Sequence, residues 1–283
     1  TLSDAGMATG LAEVESYVLA ASGSTFTLGD DAQDVDAANA GADTLNLEGR
    51  TATGVIETGA ADTISLDDTA DISGVDAEAN GAGGAFNANN LTLANDASVT
   101  MTAAQNDGFT GTVTAAGGDE TITLSDAGTA TVEGLAEIEN YELSASGGTT
   151  FKLGEASQNV DATAGSGDTI DFAGLIATGD IDTDATDTIA LGDKADITGV
   201  TADGSDGGVG GFNAESLELV ARASVAVTVA QHQAFHRYVT TASGDETITL
   251  TLASSVTGFA EVEDYVLSGA GNTTFTLGAE GQS

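Results

Sequence analysis

Ten residues return three times in this chain, and that repetition narrows the folds open to it. GLAEVESYVL at 10–19 reappears as GLAEIENYEL at 134–143 and as GFAEVEDYVL at 258–267. Tyr17, Tyr141 and Tyr265 stand 124 residues apart. Other segments keep the same order. STFTLG at 24–29 matches TTFKLG at 149–154 and TTFTLG at 273–278. ADTISLDDTADISGV at 61–75 matches TDTIALGDKADITGV at 186–200, and FNANNLTL at 86–93 matches FNAESLEL at 212–219. ASVTMTAAQNDGF at 97–109 matches ASVAVTVAQHQAF at 223–235, and GDETITL closes both units at 118–124 and 244–250. The chain therefore reads as one repeat at 1–122, a second at 123–248 and the start of a third at 249–283. Its first residues, TLSDAG, lie inside a motif that reads TITLSDAG at 121–128, so we expect a segment of a longer repetitive protein.

Inside each unit runs a shorter rhythm of brief alternating stretches. They are SYVL at 16–19, TFTL at 25–28, DTLNL at 43–47, DTISL at 62–66, NLTL at 90–93, SVTMT at 98–102, GTVT at 111–114 and ETITL at 120–124. Period-2 alternation points Leu and Ile one way and Thr and Ser the other, the pattern of a half-buried strand. Gly, Asp, Asn and Ala fill the gaps and supply corners. No helical pattern is long enough to cover a parallel sheet. LAEVESY could form one helical turn, but it equally reads as alternation with Leu11, Val14 and Tyr17 packed. The expected fold is all-β: an elongated, parallel β-helix-like solenoid built from tandem repeats of about 125 residues, whose stacked rungs share one core. The absence of proline fits, because nearly every rung N–H in a stack is bonded to its neighbour. Tandem β-sandwich domains of this size are the alternative. They usually carry longer strands and a Trp or disulfide core, and this chain has neither Trp nor Cys.

Charge sets further bounds. Asp and Glu number 45 against 5 Lys and Arg, a formal net charge of −40. That excludes a nucleic-acid binder, which needs a cationic patch to release counterions, and disfavours anionic membrane surfaces. No apolar run is long enough to insert into a bilayer. A hydrophobic fraction of 41 % against 18 % charged residues argues against a disordered acidic tail.

Most aspartates fall at strand edges and corners. Asp43, Asp62, Asp119, Asp168, Asp187 and Asp245 each open a D/E-T-hydrophobic strand or stand one residue before it. Asp67, Asp68 and Asp71, with Asp193 and Asp196 in the second unit, follow DTISL and DTIAL. A third set is Asp30, Asp31, Asp34 and Asp36, echoed by Glu155 and Asp161. Ca²⁺ seeks six to eight hard oxygens, and stacked Asp-Gly corners offer carboxylates and turn carbonyls together. Bound divalent ions would also relieve the self-repulsion of a compact body at this charge. The competing reading is a solvated acidic face. Neither an EF-hand loop nor a G-G-x-G-x-D array is present.

Other chemistry is sparse. His232 and His236 have the i, i+4 spacing of a metal or acid–base pair on a helix. The matching segment of the first unit lacks both histidines and the surrounding pattern reads as β, so we take them as local surface variation, with Arg237 and Tyr238 beside them able to tune a protein contact. No nucleophile elbow accompanies the abundant Ser and Thr. Carboxylate pairs suited to glycoside hydrolysis are inevitable among so many acids, but the aromatic platforms of a polysaccharide cleft are absent: there is no Trp, and three of the four Tyr share one repeat position that reads as core. We expect no enzyme.

The pattern at 10–29, 61–75, 118–154, 186–200 and 244–278 resembles the long Thr/Ala/Gly/Asp-rich repeats of bacterial cell-surface and secreted proteins, which are associated with calcium-binding RTX-type adhesins and surface-layer proteins. The resemblance implies an extracellular or cell-surface location, folding upon meeting external Ca²⁺, and a role as stalk, filament or lattice. Its partners would be neighbouring copies of the same protein or cell-surface polysaccharide. The alternative is an adhesive, glycan-binding module whose specificity sits in the unequal Gly-rich loops at 76–85 and 201–211.

Overall fold

Strands of two to five residues recur along the chain, and they pair in parallel from one turn to the next. The computed structural model describes residues 1–38, 41–78, 83–126, 131–202, 211–242, 244–251, 255–268 and 274–278. Of the loops read as variable, residues 79–82 of the first and 203–210 of the second lie outside them. The architecture is a β-solenoid. It divides into two compact units, Thr1–Gly128 with Leu135–Glu142, and Thr129–Gly134 with Leu143–Ser283.

In the first unit a six-stranded parallel sheet runs through Met7–Thr9, Thr25–Thr27, Thr44–Glu48, Thr63–Leu66, Asn90–Leu93 and Val113–Ala115. A second sheet holds Ser16–Val18, Asp34–Asp36, Val55–Glu57 and Asp76–Ala77, and Ser98–Met101 pairs with Thr121–Leu124 elsewhere on the turn. Register aligns Phe26 with Leu45, Leu45 with Ile64 and Ile64 with Leu91, and all four are buried. The second unit repeats the column with Phe151, Ile170, Ile189 and Leu217. A rung of three or four residues buries one or two apolar side chains, about 1.5–3 kcal/mol each. That is too little to order a turn alone, so only stacking makes the core continuous.

All eight stretches read as strands from alternation are strands here, within a residue or two. The strands that alternation did not reveal, such as Asp34–Asp36 and Val55–Glu57, bury a single apolar residue between acidic or partly exposed neighbours. Their period is too short to register.

Two single-turn helices correct the purely β reading of the second half of each repeat. These are α1 (Ala103–Gly108) and α2 (Val229–Ala234). Each begins with a capping box: Thr102 with Gln105, and Thr228 with Gln231. The T-x-x-Q signature was present in the sequence. Leu11 also departs from the expected packing, being 66 % exposed, while Val14 and Tyr17 are half-buried.

Candidate functional site

The acidic residues separate by depth. Asp43, Asp62, Asp168 and Asp187 are at most 2 % exposed. Each sits just before a strand-opening threonine, facing inward, with its carboxylate turned back along the stack. Asp43 Oδ1 accepts the N–H of Ser24 at 2.7 Å, and Asp62 Oδ1 accepts that of Asp43 at 2.8 Å. In the second unit Asp168 Oδ1 accepts the N–H of Thr149 at 2.6 Å, and Asp187 Oδ1 that of Asp168 at 2.8 Å. All four bonds span 19 residues, one turn. The second oxygen of Asp62 takes the Gly59 N–H, and that of Asp187 the Asp184 N–H, both at 2.8 Å. Asp43 Oδ2 and Asp168 Oδ2 are buried with no hydrogen-bond partner among the described residues.

Burial raises the proton affinity of Asp62, Asp168 and Asp187. Desolvation pushes Asp187 up to about 6, helped by the nearby charges of Asp184 and Asp168. Asp62 and Asp168 rise for the same first reason. Backbone N–H donors act against the shift by favouring the ionised form.

At the GDET motifs the inward residue is the glutamate, and Asp119 and Asp245 beside it are exposed. Glu120 and Glu246 are fully buried and accept the N–H of Asp96 at 3.3 Å and of Arg222 at 2.9 Å. The sequence expectation at these motifs falls on Asp119 and Asp245 and misses the glutamates, to which the alignment of D-T with E-T points. Asp71 and Asp196 close small turns, each accepting the N–H and hydroxyl of Ser73 or Thr198. Asp68 and Asp193 accept the N–H of Ser98 and Ser224, each at 3.2 Å, and Asp67 is exposed. Among the described residues no three His, Asp or Glu side chains converge into a group able to hold a metal ion. The ladder carboxylates instead bind backbone amides.

Buried amides and phenols complete the ladder. Gln33 donates to the carbonyls of Leu11 and Val14 and accepts the Gly29 N–H. Gln105 and Gln231 donate to the carbonyls of Ile72 and Ile197, both at 2.7 Å. The three repeat-related tyrosines each pin one backbone amide. Tyr17, Tyr141 and Tyr265 Oη accept the N–H of Leu11, Leu135 and Phe259, each at 2.7 Å. Tyr141 also donates to Asn106 Oδ1 at 3.2 Å.

His232 replaces Asn106 in the second unit, and here the surface reading is overturned. It lies in α2, 1 % exposed, stacked on Phe259 at 3.8 Å with Nε2 3.1 Å from Tyr265 Oη. Helix formation turns position 232 inward, which a β reading could not anticipate. Burial lowers its pKa to about 4. His236 is exposed, 3.3 Å from Glu215. It borders a groove of about 600 Å³ lined also by Asp184, Phe212, Asn213, Glu215 and Gln233. Four of these positions differ between the units: Asp184, Glu215, Gln233 and His236 stand where the first has Gly59, Asn89, Asp107 and Thr110.

No family model, curated protein or solved structure matches this chain.

Proposed function

We propose that this chain is a structural repeat segment of an extracellular, cell-surface protein, serving as a stalk, filament or surface lattice rather than as an enzyme. One observation carries the reading: the inward polar side chains join one turn to the next. A carboxylate that bridges 19 residues of sequence resists sliding of one rung past another, as a spacer under tension requires. In this reading neighbouring copies are the partners, and Ca²⁺ is a counter-ion for the exposed acids such as Asp67, Asp119, Asp193 and Asp245, not a requirement of the buried ladder. The test is Ca²⁺ titration into chelator-treated protein, followed by calorimetry, circular dichroism and sedimentation. We expect full β-structure before any Ca²⁺ is added, with a gain of mass on addition. A chain unfolded in chelator would make calcium part of the fold. Single-molecule stretching supplies the mechanical arm, and extension without a resisting force would sink the spacer role.

A second reading, recognition of a neutral cell-surface glycan, is favoured by the groove at Asp184, Asn213, Glu215 and Gln233, whose lining differs between units that otherwise share their ladder. Saturation-transfer spectra with neutral oligosaccharides should then show contact that Glu215→Ala abolishes.

A further inference from the structure

Two adjacent outward columns of the six-stranded sheet in the first unit carry no charge; Glu48, past the register shift that ends Thr44–Glu48, stands outside them. The first column, fixed by register, is Met7, Thr25, Thr44, Thr63 and Asn90. The second column is Thr9, Thr27, Asn46, Ser65, Thr92 and Thr114. In a chain of net charge −40 this is an unusual exclusion, and the second unit does not share it. There the equivalent first column is again Thr131, Thr150, Thr169, Thr188 and Ser216. The second column, however, holds Glu133, Lys152, Asp171 and Glu218, with a Lys152–Glu133 ion pair at 2.9 Å.

The hydroxyls of the neutral face are uncommitted. Those of Thr25, Thr27, Thr44, Thr63, Ser65 and Thr92 bond to no protein group among the described residues. Parallel stacking repeats them about every 4.8 Å along the stack and about 6.7 Å between columns. Stacking of like turns also opposes the twist of an open sheet. The result is a two-dimensional lattice of hydroxyls and methyls held by a rigid backbone.

We propose that this face adsorbs to ice. A crystal face is a periodic array of oxygens, and a rigid hydroxyl lattice with spacings of this order meets many of them at once without ordering cost. Charge is excluded for a physical reason: an ion needs solvent that reorients around it, and a frozen lattice cannot supply that. The rival occupants fit less well. Six rungs by two columns cover on the order of 300 Å², short of the roughly 800 Å² per partner of a stable protein interface. A crystalline polysaccharide calls for aromatic platforms, and neither column contains an aromatic residue.

The test is ice-crystal shaping, thermal hysteresis and recrystallisation inhibition with the whole chain, beside two variants of this face and one control. Thr44→Lys/Thr63→Lys puts charge in the middle of the first column. Asn46→Asp is nearly isosteric and keeps the oxygen that accepts the Glu48 N–H at 3.0 Å, so it alters charge with little threat to folding. Thr169→Lys is the control in the second unit. Circular dichroism confirms that each folds. The expected result is faceted crystals and inhibited recrystallisation for the native chain and for Thr169→Lys, lost in both first-unit variants. Unaltered crystal growth with the native protein overturns the proposal. So does full activity of Asn46→Asp. Sedimentation showing a dimer that Asn46→Asp dissociates would assign the face to a second copy instead.

Discussion

Asp62 accepts the backbone N–H of Asp43, 19 residues earlier, at 2.8 Å, and the first unit continues the chain of bonds from Asp43 to Ser24. The acid that opens one rung thus secures the opening of the rung before it. With its other oxygen on Gly59, Asp62 satisfies two backbone donors.

Removing that carboxylate should therefore be costly. Asp62→Ala strands two amides, at about 1–3 kcal/mol for each buried donor left unpaired. Exposed Asp67→Ala should move stability by less than about 0.5 kcal/mol. Urea titration of both variants measures the difference. Equal midpoints would remove the ladder from the account of stability.

Acidity should act on this ladder with a defined sign. Asp187 has its folded value raised from 3.8 to about 6, so it holds its proton more tightly when folded. Its stabilising contribution is fully present below 3.8 and is lost as pH rises through 6. The full excursion is about 3 kcal/mol at one pKa unit per 1.36 kcal/mol. Asp62 and Asp168 shift in the same direction. Melting temperatures of Asp187→Asn across pH 4 to 7 should be flatter than those of the native chain.

His232 works against this in part of the same range. Its folded value is lowered from 6.5 to about 4 by burial, so its contribution is present above 6.5 and lost as pH falls through 4. His232→Asn restores the residue that Asn106 supplies opposite Tyr141. That variant should fold and should keep more stability near pH 4 than the native chain, read from paired melts at pH 4 and 7.

The tyrosine pin should matter according to depth. Tyr141→Phe removes the bonds to the Leu135 N–H and Asn106 Oδ1 from a buried site, at about 0.5–1.5 kcal/mol for each bond. Tyr17→Phe leaves the N–H of exposed Leu11 to solvent and should cost less. Hydrogen exchange at Leu135 and Leu11 reports each bond directly.

Backbone approach sets the last expectation. A Cβ on Gly154 would lie 1.9 Å from the Gly134 carbonyl oxygen, and Gly29 and Gly278 stand in the same relation to Gly10 and Gly258. Gly154→Ala must push two turns apart and should lower the melting temperature by more than Gly167→Ser. At Gly167 nothing lies within 4 Å of the added atom and only the positive φ of 74° resists.

The repeat and its alternation determined much of this protein. Tyr17, Tyr141 and Tyr265 recurred in register, and D-T-hydrophobic strands placed Asp43, Asp62, Asp168 and Asp187 at rung openings. Short strands that cannot bury a core alone left stacking as the favoured solution. What the aspartates do was decided only in three dimensions, because a carboxylate at a corner reads alike whether it faces solvent, a cation or the next turn's amide. The 19-residue turn, which brings Asp62 onto Asp43, appears in sequence only as loosely spaced strands, since longer turns interrupt it at Thr63–Asn90 and Thr188–Ser216. His232 shows the same limit. A capped helical turn of six residues is too short to show a period, yet it alone decides that the imidazole points inward onto Phe259 rather than into water.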